Sequence, residues 1–227
     1  MRERIVKPVK AYLKSASISV VTKRSGLTME TILLFVLPLA ILRYFPQIIH
    51  FRHLVMASGL AYVLLIARAL HMTREEMGLT TQGFTAALLP LLIPTSLVLI
   101  FSAYIAARHP AEFIFPAMLE ESRHLSMSTA IFLYVTLSVP LQEVLFRAFY
   151  IPRLEQITDN RLFLITFSAL IFMLVHIPLG NLLMVLTTGL MGIIWADNFL
   201  RFRSLPAIMV SHALLGSFLI YLLYAMF

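Results

Sequence analysis

Long apolar stretches, separated by short polar or charged segments, dominate the pattern of hydrophobic and polar positions along the chain. A transmembrane helix needs about 20 consecutive apolar residues. Seven stretches come close to or exceed that length: 29–49, 54–72, 84–107, 125–156, 161–178, 181–200 and 205–226. The pattern therefore predicts an all-α polytopic membrane bundle with seven transmembrane helices.

Two segments do not fit the pattern of spans. Arg108 to His124 contains two prolines and three glutamates, which favours an interfacial or re-entrant piece; a short span concealed there would raise the number to eight. Its acidic pair, Glu120 and Glu121, is expected on a solvated face. Residues 1–28 carry lysines between apolar positions at helical spacing, which predicts a basic cytoplasmic or interfacial segment. A disordered cytoplasmic tail is the alternative. The transmembrane domain is expected to cover 29–227.

Composition supports a membrane protein. The chain of 227 residues is 60% hydrophobic and 13% charged, with a mean hydropathy of +0.90, whereas globular domains are about half apolar and a quarter charged. The net charge of +7 is attributed to loops that face anionic lipid, so the bilayer is the expected partner and nucleic acid is not. The absence of cysteine excludes disulfides, thiolate zinc sites and a cysteine nucleophile.

The distribution of basic residues predicts an orientation. With the N-terminus inside, thirteen Lys and Arg residues lie at cytoplasmic ends of the spans, and four lie at outer ends: Arg43, Arg52, Arg108 and Arg123. Positive charge favours the cytoplasmic side. We therefore expect a cytoplasmic N-terminus, in an integral protein of the plasma (inner) membrane of a prokaryote.

Most ionisable residues lie near the ends of the predicted spans, and four stand out as exceptions. An ionisable group inside a span costs roughly 2.5–3.5 kcal/mol even on lenient insertion scales. Glu143 and Arg147, in the stretch "LQEVLFRAFYIPR", are four residues apart and share one helix face. His176 and His212 lie in two later spans. Taken singly, each has a structural explanation, namely a buried ion pair or a hydrogen-bonded core histidine.

Their spacing favours a shared site. Thr158-Asp159-Asn160 is a plausible turn, and Glu143 lies 16 residues before Asp159 while His176 lies 17 after it. In an antiparallel hairpin both side chains would lie about 25 Å from the turn. A carboxylate screened from bulk water can act as general base on a water molecule, a histidine can share that role, and a second histidine can donate to a developing oxyanion. Arg147 would position Glu143, or bind a substrate carboxylate or carbonyl.

Other designs of membrane protease lack their signatures here. The chain contains no His-Glu-x-x-His zinc helix and no Gly-x-Ser-x-Gly nucleophile turn. Its two aspartates are Asp159, in the predicted turn, and Asp197. An aspartyl dyad is therefore not expected.

At these residues the chain resembles the CAAX-protease and bacteriocin-processing family, also called the abortive-infection family, which includes type II CAAX prenyl endopeptidases. The family pattern is Glu-Glu-x-x-x-Arg, then Phe-x-x-x-His, then His-x-x-x-Asn. Here the motifs read Gln142-Glu143-x-x-x-Arg147, Phe172-x-x-x-His176 and His212-x-x-x-Gly216. The resemblance covers roughly 125–220, which is the expected protease-like core.

The resemblance implies an intramembrane endopeptidase that hydrolyses a membrane-embedded or lipidated, for example prenylated, peptide. In the family the second Glu and the first His activate water, and the second His with its Asn is assigned to the oxyanion. The catalytic residues implied here are Glu143, His176 and His212, with Arg147 positioning Glu143, and with Gln142 and Phe172 in support. Family members have been described both as metal-dependent and as metal-free. The metal-free form is favoured here, without a cofactor, and zinc is the alternative.

Two departures from the family pattern keep other functions open. Gln142 replaces the first Glu, and Gly216 replaces the oxyanion Asn, whose role Asn181, Ser211 or Ser217 could take. A catalytically weak or inactive member that acts as a membrane binding or regulatory protein is the alternative function. A transporter is disfavoured because the polar residues do not continue along a full pore.

Overall fold

A bundle of long helices makes up the computed structural model, which describes residues 24–45, 47, 51–113 and 125–226. Within these ranges there are seven long helices and no strand, so the predicted all-α class is confirmed. Two short 3₁₀ turns, Pro110–Phe113 and Ile177–Leu179, accompany them. The helices are α1 (24–44), α2 (Arg52–Ala69), α3 (Phe84–Arg108), α4 (Met127–Glu155), α5 (Arg161–Leu174), α6 (Leu182–Phe202) and α7 (Leu205–Met226).

Six segments of the described chain are long and apolar enough to cross a membrane: Ser25–Leu42, Phe84–Arg108, Met127–Glu155, Arg161–Leu179, Leu182–Phe202 and Leu205–Met226. The apolar part of α2, Leu54–Ala69, is shorter than these. Large apolar side chains such as Leu182, Ile93 and Leu65 are about two-thirds or more exposed on the outer faces. A bundle whose exterior is this apolar belongs in lipid, so the chain is an integral membrane protein.

The polar segments fall largely outside the described residues. Of the predicted basic segment 1–28, residues 1–23 are not among them and residues 24–28 belong to α1. The range 114–124, which contains the Glu120–Glu121 pair, is also outside them. The preceding residues Pro110–Phe113 form a 3₁₀ turn whose Phe113 is buried. The prediction of a basic interfacial segment and that of a hidden eighth span therefore stay predictions.

Three stretches of π-helix interrupt the α-helical backbone, and each contains the residue four positions before a proline. The stretches are Ile32–Val36, Tyr134–Ser138 and Val144–Phe149, which precede Pro38, Pro140 and Pro152. A proline ring has no N–H and clashes with the carbonyl of the fourth residue before it. The wider π turn relieves that clash, because an N–H then donates to the fifth carbonyl before it instead of the fourth. Val139 N–H, for example, donates to Tyr134 O.

Helix α4 lies at the centre of the bundle. Its residues Phe149, Tyr150 and Ile151 are fully buried, while α5 packs chiefly on α6, and α7 packs on both α3 and α4. The turn between α4 and α5 ends at Asn160, whose side chain caps α5 by accepting the N–H of Phe163 at 3.1 Å. The turn predicted at this position is confirmed.

A buried ion pair fastens α1 to α4. The Arg153 guanidinium donates to both carboxylate oxygens of Glu30, from Nε at 2.8 Å and from Nη2 at 2.9 Å, and also bonds Gln156. Both members of the pair are 2% exposed. Beside them the hydroxyls of Thr31 and Tyr150 lie 2.8 Å apart. Two charges buried this deeply stabilise the helix contact only while both are present.

We expect Glu30→Gln to lower the free energy of unfolding by about 3–5 kcal/mol, because it leaves the Arg153 cation buried without a counter-charge. The matched control is Arg201→Ala, since Arg201 is 62% exposed in its pair with Asp197, and an exposed pair contributes about 1 kcal/mol or less. Thermal unfolding in detergent measures both. Equal stability of the two variants would contradict the structural role of the Glu30–Arg153 pair.

Candidate active site

Glu143 and Arg147 lie at the core of the bundle, one at the end of an α-helical segment and the other in the π-helical segment that follows. Both side chains are fully buried. Arg147 Nη1 donates to Glu143 Oε1 at 3.2 Å. The ion pair predicted from the four-residue spacing is therefore present.

Aromatic rings compensate the rest of the Arg147 charge. Its Nε and Nη2 make no hydrogen bond within the described residues. Its guanidinium carbon lies 4.1 Å from the centre of the Phe172 ring and 5.3 Å from that of Trp195. Rings at this distance attract a cation, most strongly where water is excluded. Phe172 is therefore a platform for Arg147, which gives the Phe of the second motif a physical role.

His212 contacts the same carboxylate from α7. Its Nδ1 lies 2.7 Å from Glu143 Oε1, the oxygen that Arg147 also bonds. Glu143 Oε2 makes no hydrogen bond within the described chain. Since Nδ1 faces the carboxylate, Nε2 is the nitrogen of His212 that is available to a substrate.

His176 follows α5 in the chain, and its Nδ1 faces the backbone. Its Nδ1 lies 2.7 Å from the carbonyl oxygen of Phe172, and a carbonyl only accepts, so Nδ1 carries the proton. In neutral His176 the lone pair is then on Nε2. The Phe172 ring stands edge-on to the His176 ring, 4.7 Å away, and to the His212 ring, 5.8 Å away. One phenylalanine thus contacts both histidines and the arginine.

An apolar cavity of about 710 Å³ adjoins this cluster. His176, His212 and Gln142 line it, together with mainly apolar side chains of α1, α2, α4, α6 and α7. Its size falls within the roughly 300–1,000 Å³ typical of ligand pockets. Glu143 lies behind this lining, while Gln142 provides an amide at the cavity wall.

Two site residues were missed by the sequence reasoning. Trp195 lies against His212, with ring centres 4.6 Å apart, and its Nε1 donates to Ser211 at 2.9 Å. Tyr134 stands edge-on to His212 at 5.9 Å and lines the cavity. The single Trp of the chain, inside an apolar helix, was a signal for the first; nothing in the local sequence distinguished Tyr134.

Two of the three residues considered as substitutes for the missing asparagine have other partners. Asn181 caps α6 by accepting the N–H of Met184, and its amide donates to the carbonyl of Glu112. Ser211 is buried between Trp195 and Thr95, whose hydroxyl is 2.7 Å away. Their hydrogen-bonding groups are directed to these contacts.

The charges at the site do not favour a divalent cation. Glu143 Oε1 already contacts the Arg147 cation and His212 Nδ1, and a metal ion beside Arg147 would meet a like charge. Across the described residues no group of three or more His, Asp and Glu side chains is placed to hold a metal.

Removing the Glu143 charge is expected to destabilise the protein, because Arg147 would remain buried and only partly compensated. Glu143→Gln should lower the free energy of unfolding by about 3–5 kcal/mol. The double variant Glu143→Gln with Arg147→Met removes both charges and should recover most of that loss. Thermal unfolding in detergent checks both; a double variant no more stable than the single one would contradict the charge argument.

A comparison with protein-family models bears on this arrangement. Residues 124–218 match the model described as Type II CAAX prenyl endopeptidase Rce1-like. No curated protein and no solved structure matches the chain. The matched region contains Glu143, Arg147, His176 and His212, and the family is a family of proteases. The resemblance found in the sequence is therefore confirmed for residues 124–218, which are similar to the Rce1-like type II CAAX prenyl endopeptidase family.

Proposed function

We propose that the protein is an intramembrane endopeptidase that hydrolyses a peptide bond of a membrane-associated or prenylated substrate with a water molecule activated by Glu143 and His176. The observation that carries the proposal is the contact between Glu143 and His212 at 2.7 Å, beside a cavity that both histidines line. This contact brings together Glu143 of the first family motif and His212 of the third.

Activation of water needs a proton acceptor. Neutral His176 has its lone pair on Nε2, because Nδ1 donates to the Phe172 carbonyl. Glu143 Oε2 is the carboxylate oxygen that no described residue bonds. A water between these two acceptors would lose a proton to one of them and attack the scissile carbonyl carbon. The same group would then pass that proton to the leaving nitrogen as the C–N bond breaks, so the two groups act first as general base and then as general acid.

The opposite charge develops on the carbonyl oxygen of the substrate. One proton held between Glu143 Oε1 and His212 Nδ1 leaves the Nε2–H of His212 free to donate to that oxyanion. Arg147 holds Glu143 from the other side, and Phe172 holds Arg147. This network fixes the direction of the carboxylate before the substrate arrives, which lowers the reorganisation needed in the transition state.

The walls of the cavity support an apolar substrate. Side chains such as Leu34, Ile41 and Met191 line it, while its polar lining includes Gln142 and the two histidines. An isoprenoid chain gains free energy from contact with such walls in proportion to the apolar area removed from water. A prenylated or membrane-embedded peptide is therefore the substrate class that we propose.

Activity should depend on both proton acceptors. In proteoliposomes with a farnesylated peptide, we expect His176→Ala to lower kcat by at least about 100-fold, the lower range for loss of a general base. Glu143→Gln with Arg147→Met should abolish cleavage although it folds. Arg201→Ala, on an exposed surface, is the matched control and should cleave at the wild-type rate. Cleavage by His176→Ala at that rate would refute the mechanism.

Cleavage is also expected to be independent of metal. Wild-type protein dialysed against a chelator should retain its kcat, and elemental analysis should find far less than one zinc per chain. A kcat that falls on chelation and returns with added Zn²⁺ would make the histidines metal ligands and overturn the metal-free form of the proposal.

A binding or regulatory protein is the second candidate. It is favoured by the burial of Glu143, which is fully enclosed by its partners, and by Gly216 in place of the asparagine. In this case Glu143→Gln with Arg147→Met would bind a farnesylated peptide and support the cellular role as well as the wild type. Loss of that role in the folded double variant would exclude it.

A further inference from the structure

Gly216 lies one helical turn after His212, where the family pattern has asparagine. A Cβ built on Gly216 would lie 2.1 Å from both the hydroxyl oxygen and Cζ of Tyr134. Atoms cannot approach so closely, so no larger side chain fits at 216 while Tyr134 keeps this position. The glycine on α7 and the tyrosine on α4 form a matched pair.

The hydroxyl of Tyr134 lies in the volume that a side chain at position 216 would begin to fill. The amide nitrogen of asparagine is two bonds from its Cβ, and the Tyr134 oxygen lies 2.1 Å from the Cβ position. The tyrosine thus brings a hydrogen-bond donor from a different helix to nearly the same place.

The surroundings of Tyr134 suit a donor to a ligand. Its side chain lines the same cavity as His176 and His212, and its ring stands edge-on to His212 at 5.9 Å. Its hydroxyl makes no hydrogen bond within the described residues. By contrast, the Tyr150 hydroxyl bonds the Thr31 hydroxyl, and the Tyr224 hydroxyl donates to the Leu125 carbonyl. Tyr134 is half-buried, and in the cavity that it lines a substrate oxygen would provide a hydrogen-bond partner for its hydroxyl.

We propose that the Tyr134 hydroxyl, together with His212, donates a hydrogen bond to the substrate oxyanion and so takes the place of the family's asparagine. The proposal rests on the proposed peptidase function and names a further catalytic residue for it. The proton stays on the phenol, and no bond other than the hydrogen bond forms.

The π-helical segment that begins at Tyr134 contributes to this placement. It changes the angle about the axis of α4 between the side chains of Tyr134 and Glu143, because a π turn holds more residues than an α turn. Pro140 accounts for the segment, as its ring excludes the ordinary turn. The backbone feature that relieves the proline clash therefore also sets the direction of Tyr134 relative to Glu143.

The substitution that tests the hydroxyl alone is Tyr134→Phe, which keeps the ring that fills the groove at Gly216. With a farnesylated peptide in proteoliposomes we expect kcat to fall about 100- to 1,000-fold, the usual effect of losing one oxyanion donor. KM should stay within twofold of wild type, and the unfolding temperature should stay within a few degrees of it. Tyr221→Phe is the matched control, because Tyr221 is exposed on α7 and lies outside the cavity lining. A wild-type kcat for Tyr134→Phe would overturn the proposal.

A rescue distinguishes donation from packing. Gly216→Asn alone should be inactive, because its side chain collides with Tyr134. Tyr134→Ala with Gly216→Asn restores the donor of the family pattern and should cleave at least 10-fold faster than Tyr134→Ala alone. A double variant no faster than Tyr134→Ala would count against an exchangeable oxyanion donor.

Inhibitor binding tests the same donor without turnover. A farnesylated peptide aldehyde hydrates to a tetrahedral gem-diol, one of whose oxygens takes the place of the oxyanion, and the matched alcohol has no such second oxygen. Wild type should bind the aldehyde at least 10-fold more tightly than the alcohol, and Tyr134→Phe should lose this preference. Equal affinities in wild type, or an unchanged preference in Tyr134→Phe, would overturn the proposal. If the wild type cleaves no peptide, the peptidase function fails, but the aldehyde preference still decides the role of Tyr134.

Discussion

The Arg147 guanidinium is a fully buried cation, and the way its charge is compensated joins four helices. Glu143 bonds it on α4, the Phe172 ring of α5 lies 4.1 Å beneath it, and Trp195 of α6 lies at 5.3 Å. His212 of α7 then bonds the same oxygen of Glu143. A buried ion is stable only with its partners in place. The helices therefore converge where the proposed chemistry occurs, and stability and reactivity depend on one network.

The prolines of α4 have a comparable double effect. Pro140 and Pro152 would break an ordinary helix, yet α4 continues through them because a π-helical stretch precedes each. Glu143 lies between the two stretches. A side chain held between two widened turns takes a direction that a regular helix would not give it, and π-helical segments are frequent at functional sites for this reason. Pro90 and Pro94 lie within α3 without such a stretch, so the effect depends on more than proline.

Two substitutions relative to the family pattern have different consequences in three dimensions. Gln142 lies at the cavity wall and leaves the Glu143 network intact. Gly216 looked like the loss of an oxyanion donor, but the space it vacates is filled by a tyrosine from another helix. Comparing the chain with the family motif position by position reveals the glycine but not the tyrosine, because the two residues are 82 positions apart in the chain.

The sequence by itself determined the helical class, the approximate helix boundaries, and the residues Glu143, Arg147, His176, His212 and Phe172 as a candidate site. It could do so because apolar length and buried charge are properties of single segments, as is the four-residue spacing of an ion pair. Tertiary structure alone decided that Glu143 contacts His212, that Phe172 supports Arg147, and that Tyr134 lies against Gly216. Those contacts depend on the depth and rotation of one helix against another, which are set by packing between segments far apart in the chain.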